Sequence, residues 1–152
     1  MKLSLNHIGI AVDNLPAMRK LFSLLGLEID HVETVADQGV KAHFIELETP
    51  KQLPKQSPKQ SNEQGYHLEL LEVTDPGSAV AKFIEKRGPG IHHLSFLVET
   101  AHLKPLCQKL TQEGYRLTYP EPRQGAHQML INFIHPASAG GILIELMEAM
   151  NP

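Results

Sequence analysis

The chain has 152 residues, of which 41% are hydrophobic and 20% charged, and its formal net charge is −3. This length fits one domain, and the charge balance offers no basic surface for nucleic acid. No apolar run approaches the length of a membrane-spanning helix, so we expect neither nucleic-acid nor membrane partners. The single cysteine, Cys107, rules out an internal disulfide. Because no signal peptide is visible either, we expect a cytoplasmic protein.

The first half of the chain predicts a strand, a helix and three further strands. Residues 7–12 read His-Ile-Gly-Ile-Ala-Val, which is typical of a strand. A helix is predicted from Asn14 to Leu25, with Asn14 as the N-cap and Gly26 just beyond the C-terminus. Further strands are expected at about residues 28–35 and 40–48, and at residues 67–72, which read His-Leu-Glu-Leu-Leu-Glu.

A polar insertion of residues 50–65 separates two of these strands. It contains Pro-Lys-Gln three times and continues as Ser-Asn-Glu-Gln-Gly. Such a segment cannot bury a core, so we expect a mobile loop, either a tolerated surface insertion or a lid over a functional site.

The second half predicts the same order of elements. A linker helix at about residues 77–87 joins the halves, and residues 93–98 read His-Leu-Ser-Phe-Leu-Val. An amphipathic stretch from Thr100 to Glu113 ends at Gly114, as expected of a helix. Strands are expected at about 115–120 and 128–135, and a last strand at 143–148 reads Leu-Ile-Glu-Leu-Met-Glu.

The two halves therefore read as an internal repeat of β-α-β-β-β units. Each unit opens on a strand beginning with His and closes on a strand with Glu at its third position. We predict an α+β fold in a single domain, residues 1–152. Module one spans about 3–74, with the insertion at 50–65, and module two spans about 90–150.

Strand parity predicts a metal site. Side chains alternate faces along a strand, so His7 points away from the apolar row Ile8, Ile10 and Val12, which should face the helix. The same holds for the His that begins the matching strand. A Glu within an apolar strand is costly unless it is paired or binds a metal ion. We therefore predict that one divalent metal ion is bound by the residues at equivalent positions of the two halves: His7, Glu69, His93 and Glu145.

Two other histidines lie next to predicted ligands. By parity His92 faces the helix side, and we interpret it as a packing residue. His67 shares the face of Glu69 and is a candidate for lining the site, not for binding the metal.

Several stretches carry a family likeness that covers nearly the whole chain. The linker helix running into Gly90-Ile91-His92-His93 and the segment Phe133-Ile134-His135-Pro136 are the most specific of them. Together with residues 5–12, 37–40, 68–72 and 141–146, they make the chain resemble the vicinal oxygen chelate (glyoxalase/bleomycin resistance/dioxygenase) superfamily, and within it the methylmalonyl-CoA epimerases.

This resemblance implies a fold, a reaction and a substrate. In the superfamily, two βαβββ modules form a cup-shaped mixed sheet around a metal ion, with the helices on the outer face. The implied reaction is metal-dependent R/S epimerisation of methylmalonyl-CoA, by α-proton abstraction through an enolate. The resemblance also implies metal binding by the same four residues. The expected substrate is then an acyl-CoA thioester, and the expected metal ion is Co²⁺, Zn²⁺, Ni²⁺ or Mn²⁺. The resemblance also implies a homodimer.

The acid–base residues follow less directly, because the chain departs from the family pattern. Ala42 stands where some epimerases carry a Glu proposed as a base, and Ala137 stands where a Lys is usual. We assign catalytic roles to Glu145, which is also a ligand, and to Glu46, which shares the strand parity of Ala42. His67 is a further candidate for the second group.

Three alternatives remain at this point. A glyoxalase I-type isomerase (lactoylglutathione lyase) would use the same ligand types, although the His-Pro segment and the linker helix argue against it. A non-catalytic small-molecule-binding protein of the same fold generally would not keep four ligands. An extradiol dioxygenase would need only three, so the second Glu disfavours it.

Overall fold

The computed structural model describes residues 1–47, 66–125 and 128–150. The predicted loop at residues 50–65 lies outside them. The elements follow in the order β-α-β-β-β, a helix, and β-α-β-β-β again, which confirms the predicted α+β class and the repeated order of elements. They are β1 (Leu3–Val12), α1 (Leu15–Leu24), β2 (His31–Val35), β3 (Val40–Leu47), β4 (Tyr66–Val73), α2 (Ala79–Arg87), β5 (Gly90–Val98), α3 (Leu103–Gln112), β6 (Arg123–Gln124), β7 (Met129–Ile134) and β8 (Leu143–Ala149).

Helix α1 begins and ends where its sequence predicts. The side chain of Asn14 accepts a hydrogen bond of 3.0 Å from the backbone N–H of Ala17, as an N-cap residue does. Gly26 follows the helix with φ +77°, a left-handed conformation that favours glycine.

The chain forms two compact units. The first, here called the terminal unit, comprises Met1–Gly9 and Ile91–Pro152, and the second, the central unit, comprises Ile10–Gly90. The first strand of module one is therefore divided, and its first residues belong to the compact unit of module two. As a consequence His7 lies in the same unit as the predicted ligands of the second half.

In the central unit, β2, β3 and β4 form an antiparallel meander. One face packs on α1, through a core that includes Val12, Ile45 and Leu70. The opposite face contributes Ala42 and Leu71 to a second core with α2. The apolar row of β1 thus contacts α1 as its parity predicts, through Ile10 and Val12.

In the terminal unit the sheet is mixed. Strand β1 lies beside β5, and the order continues with β8, β7 and β6. Strands β5 and β8 are parallel, whereas β7 is antiparallel to both β8 and β6. The core of this unit joins Val98 and Leu146 to Leu103 and Cys107 of α3, which confirms the predicted helix-facing row of β5.

Helix α3 begins three residues later than the sequence predicts. The helix was expected from Thr100, but it starts at Leu103. The buried carboxylate of Glu148 accepts hydrogen bonds from the backbone N–H groups of His102, at 2.9 Å, and Leu103, at 2.7 Å. A side chain distant in sequence thus takes the role of the N-cap.

The strand predicted at residues 115–120 is wrong: only an isolated bridge between Leu117 and Ile134 forms there. The side chain of Asn132 takes the place of the ladder, because its Oδ1 accepts from the Tyr119 N–H at 3.2 Å and its Nδ2 donates to the Tyr119 carbonyl at 3.0 Å. Pro120 follows at once and cannot donate to a ladder. The short strand β6 forms only beyond it.

Within residues 1–47, 66–125 and 128–150, no helix combines the length and hydrophobicity that crossing a membrane requires.

Candidate metal centre

Three of the four predicted ligands meet inside the terminal unit. One ligand atom each of His7, His93 and Glu145 lies within 4.8 Å of the other two. The Nε2 atoms of the two imidazoles are 2.9 Å apart, and Nε2 of His7 lies 3.4 Å from Oε2 of Glu145. The three residues are only 5%, 9% and 8% exposed. The structure therefore places two imidazoles and one carboxylate around a common point away from solvent.

The sheet explains why these residues meet. Strand β1 lies beside β5, which brings the two histidine strands together. Strand β8 runs parallel to β5 with Ser95 in register with Glu145. Because Ser95 is two residues beyond His93, parity puts both on the same face of β5.

Gly9 provides the space for the ring of His93. A Cβ atom built on Gly9 would lie 2.7 Å from Nε2 of His93, and closer still to Cε1 and Nδ1 of that ring. Real Cβ atoms do not approach so closely, so only glycine allows this packing. The repeat predicts the position of His93, whereas its dependence on Gly9 is visible only in the structure.

The outer ring nitrogens of both histidines contact the side chain of the preceding residue. Nδ1 of His7 lies 2.8 Å from Oδ1 of Asn6, and Nδ1 of His93 lies 3.0 Å from Nδ1 of His92. Parity assigned His92 to packing on the helix side, and this interpretation missed its contact with the ligand ring. The sequence did hold a signal, since a hydrogen-bonding residue precedes both histidines.

The electrostatics favour a neutral imidazole at His93. Burial, first, and the neighbouring His92, second, together lower the pKa of His93 to about 3. The pKa of His92 is itself lowered by burial. A neutral imidazole keeps a lone pair on one nitrogen, which is the form that binds a metal ion.

The donor set fits a divalent transition metal. Mixed imidazole and carboxylate ligands suit Zn²⁺, Co²⁺, Ni²⁺ and Mn²⁺, and a buried carboxylate needs a compensating positive charge. A protonated His7 would be the other source of that charge, in an ion pair with Glu145. A bound metal ion and a protonated His7 are therefore two alternative sources of positive charge. A measurement of metal content distinguishes between them.

Glu69 and Glu46 lie in the central unit. Oε1 of Glu69 lies 3.2 Å from Nε2 of His67, and His67 is the cross-strand partner of Glu46. Residues directly opposite in a ladder share a face, so these three side chains share one face of β3 and β4. The side chain of Glu46 is exposed, and its backbone N–H donates to Asp30 at 2.6 Å. Metal binding by Glu69 and catalysis by Glu46 stay predictions.

Comparison with known proteins identifies the class. The profile of the Glyoxalase/Bleomycin resistance protein/Dioxygenase superfamily matches residues 6–133. The chain belongs to this superfamily, whose members usually bind a divalent metal ion.

Relatives and solved structures of similar sequence indicate the family within this superfamily. An ethylmalonyl-CoA/methylmalonyl-CoA epimerase of Cereibacter sphaeroides is 34% identical, over 93% of this chain and 95% of its own. An uncharacterized protein of Bacillus subtilis, YqjC, is 36% identical over 95% and 91%. A Streptomyces coelicolor methylmalonyl-CoA epimerase (Q60A), solved with 2-nitronate-propionyl-CoA, superimposes with a TM-score of 0.75 at 32% identity and covers 97% of both chains. Within the superfamily the chain therefore belongs to the methylmalonyl-CoA epimerases, and it is an epimerase.

Proposed function

We propose that this protein interconverts the R and S forms of methylmalonyl-CoA with a divalent metal ion bound by His7, His93, Glu145 and Glu69. The observation that carries the proposal is the buried convergence of two imidazoles and a carboxylate, with ligand atoms within 4.8 Å of one another, in a member of this family. Glu69 completes the set as the repeat equivalent of Glu145.

The relatives support the substrate class. The Cereibacter relative carries ethylmalonyl-CoA and methylmalonyl-CoA in its name, and the Streptomyces structure holds a propionyl-CoA derivative. All of these molecules are CoA thioesters with an anionic group, a carboxylate or a nitronate, at the α-carbon. An acyl-CoA thioester of this kind is accordingly the substrate that we propose.

Epimerisation requires removal of the proton on the α-carbon, which lies between a carboxylate and a thioester carbonyl. A bound divalent ion supplies a Lewis acid for the negative charge that develops on the thioester oxygen. The protein's part is to hold the ligand atoms in place, since His7, His93 and Glu145 are all more than nine-tenths buried. Their burial also excludes water, which strengthens electrostatic interactions inside the site.

Inversion at the α-carbon needs acid–base groups on both faces of the planar intermediate. Glu145 is the proposed group on one face, because it is the carboxylate of the buried cluster. Glu46 is the proposed group for the other side of the intermediate. It lies on the same face of the β3–β4 sheet as Glu69. We expect Glu46→Gln to lower kcat without weakening metal binding. An unchanged kcat would exclude Glu46 from proton transfer.

Metal removal and restoration test the proposed site. The protein is treated with EDTA, assayed for epimerisation, and then titrated with Co²⁺, Ni²⁺, Zn²⁺ or Mn²⁺. We expect one metal ion per chain and activity that returns with it. His93→Ala should lose both, whereas the matched control His31→Ala, at an exposed position of β2, should keep both. Stoichiometric metal binding by His93→Ala equal to that of the unmodified protein would contradict the site.

A further inference from the structure

We infer that Asn6 and His92 are positioning residues, which determine the ring nitrogen that His7 and His93 offer to a metal ion. The inference rests on the proposed metal site and deepens it. It comes from a feature common to both modules: the residue that precedes each ligand histidine contacts the outer nitrogen of its ring.

Four side chains of the terminal unit form one row of hydrogen-bonding atoms. Nδ1 of His92 lies 3.0 Å from Nδ1 of His93. Nε2 of His93 lies 2.9 Å from Nε2 of His7, and Nδ1 of His7 lies 2.8 Å from Oδ1 of Asn6. Each contact needs one donor and one acceptor, so the row constrains where every hydrogen can sit.

At the Asn6 end the direction is fixed. An amide oxygen only accepts, so Nδ1 of His7 carries the hydrogen and donates it to Oδ1 of Asn6. A neutral His7 then has its lone pair on Nε2, the atom that faces His93 and Glu145. Asn6 thereby prepares His7 to bind through Nε2, as outer partners of metal-binding histidines do.

At the His92 end two directions are possible. In the first, Nδ1 of His92 donates to Nδ1 of His93. The hydrogen of His93 is then on Nε2 and is donated to Nε2 of His7. Every contact of the row is satisfied in this arrangement, and all three rings are neutral. If His93 donates to His92, the lone pair of His93 is on Nε2 and available to a metal ion. The hydrogen of His92 is then on its own Nε2. The two arrangements hold the same number of protons.

Metal binding through Nε2 of His93 therefore requires His92 to accept. If His92 is the donor in the metal-free protein, the hydrogen bond between the two rings would reverse on metal binding, with the same number of protons on the rings. His92 serves the site as a tautomeric partner, which a residue that only packs cannot do. The rings also meet edge to face, with centroids 5.3 Å apart, so phenylalanine at position 92 would keep the packing and remove the acceptor.

Imidazole nitrogen NMR tests the tautomers directly. Full-length protein labelled with ¹⁵N-histidine is recorded before and after addition of Zn²⁺ at neutral pH. With Zn²⁺ we expect His7 and His93 to be protonated at Nδ1, and His92 to change from the Nδ1-protonated to the Nε2-protonated form. His7 should keep its tautomer throughout. A zinc-bound form in which His93 carries its hydrogen on Nε2, or His92 keeps it on Nδ1, would overturn the inference.

Paired variants test the effect on affinity. Asn6→Leu and His92→Phe remove the acceptors, and we expect each to raise the Zn²⁺ dissociation constant by roughly 10- to 100-fold. Asn6→Asp and His92→Gln keep an acceptor oxygen and should bind within a few-fold of the unmodified protein. Asn6→Asp and His92→Gln change the same two residues but keep an acceptor. They therefore separate the loss of an acceptor from a general loss of folding.

The outcomes separate this inference from the proposed function. If the unmodified protein and His93→Ala both fail to bind Zn²⁺, the metal site is wrong and the inference falls with it. If the unmodified protein binds Zn²⁺ and His92→Phe and Asn6→Leu bind it equally well, only the positioning roles are wrong.

Discussion

At the scale of single residues, the cluster depends on a position that carries no chemistry of its own. Gly9 lies against the ring of His93, and a methyl group there would overlap Nε2, Nδ1 and Cε1 of that ring. We expect Gly9→Ala to displace His93, to destabilise the fold by about 1–3 kcal/mol through overpacking, and to weaken metal binding. Denaturant unfolding and Zn²⁺ titration measure the two effects.

Ser95→Ala is the matched control for Gly9→Ala. Ser95 is the equivalent small, fully buried residue two positions after the histidine of β5, and its replacement adds no atoms near either imidazole. Metal binding should persist in this variant. Equal affinities of Gly9→Ala, Ser95→Ala and the unmodified protein for Zn²⁺ would contradict the role of Gly9.

At the scale of the elements, the start of helix α3 depends on a carboxylate from strand β8. Oε2 of Glu148 accepts from two backbone N–H groups at the start of the helix. Glu148→Ala leaves both without this acceptor, and we expect a loss of about 1–3 kcal/mol in the free energy of unfolding. Glu148→Gln keeps one acceptor oxygen and should lose less. Similar losses for the two variants in urea titrations would argue against capping by this side chain.

The sequence predicts elements well where the signal is local. Asn14 and Gly26 mark the ends of α1 because capping is decided within a few residues. The start of α3 and the absence of a strand at 115–120 were not predictable in this way. Both depend on a side chain far along the chain, Glu148 in one case and Asn132 in the other.

The same distinction holds for the site. Strand parity and the repeat identified His7, His93 and Glu145, because the alternation of faces is a property of each strand. The contact of His92 with the ligand ring was missed, since parity describes the direction of a side chain and not the reach of its ring. The contact of Asn6 with His7 was not predicted either, because Asn is most often an exposed residue.

At the scale of the whole molecule, the repeat and the compact units divide the chain differently. The repeat separates two modules joined by α2, whereas the terminal unit includes residues 3–9, which belong to module one. Because His7 lies in the compact unit of module two, three of the four predicted ligands lie within one compact body. The homodimer implied by the family stays a prediction, which light scattering on the purified protein can check.

The central claim is that this protein removes and returns the α-proton of methylmalonyl-CoA at the cluster of His7, His93 and Glu145. Incubation of the metal-loaded protein with methylmalonyl-CoA in D₂O, followed by NMR, tests it most directly. We predict deuterium at the α-carbon at a rate that depends on the protein and on the metal ion, with no such exchange for His93→Ala. Absence of deuterium at the α-carbon with the metal-loaded protein would contradict the account.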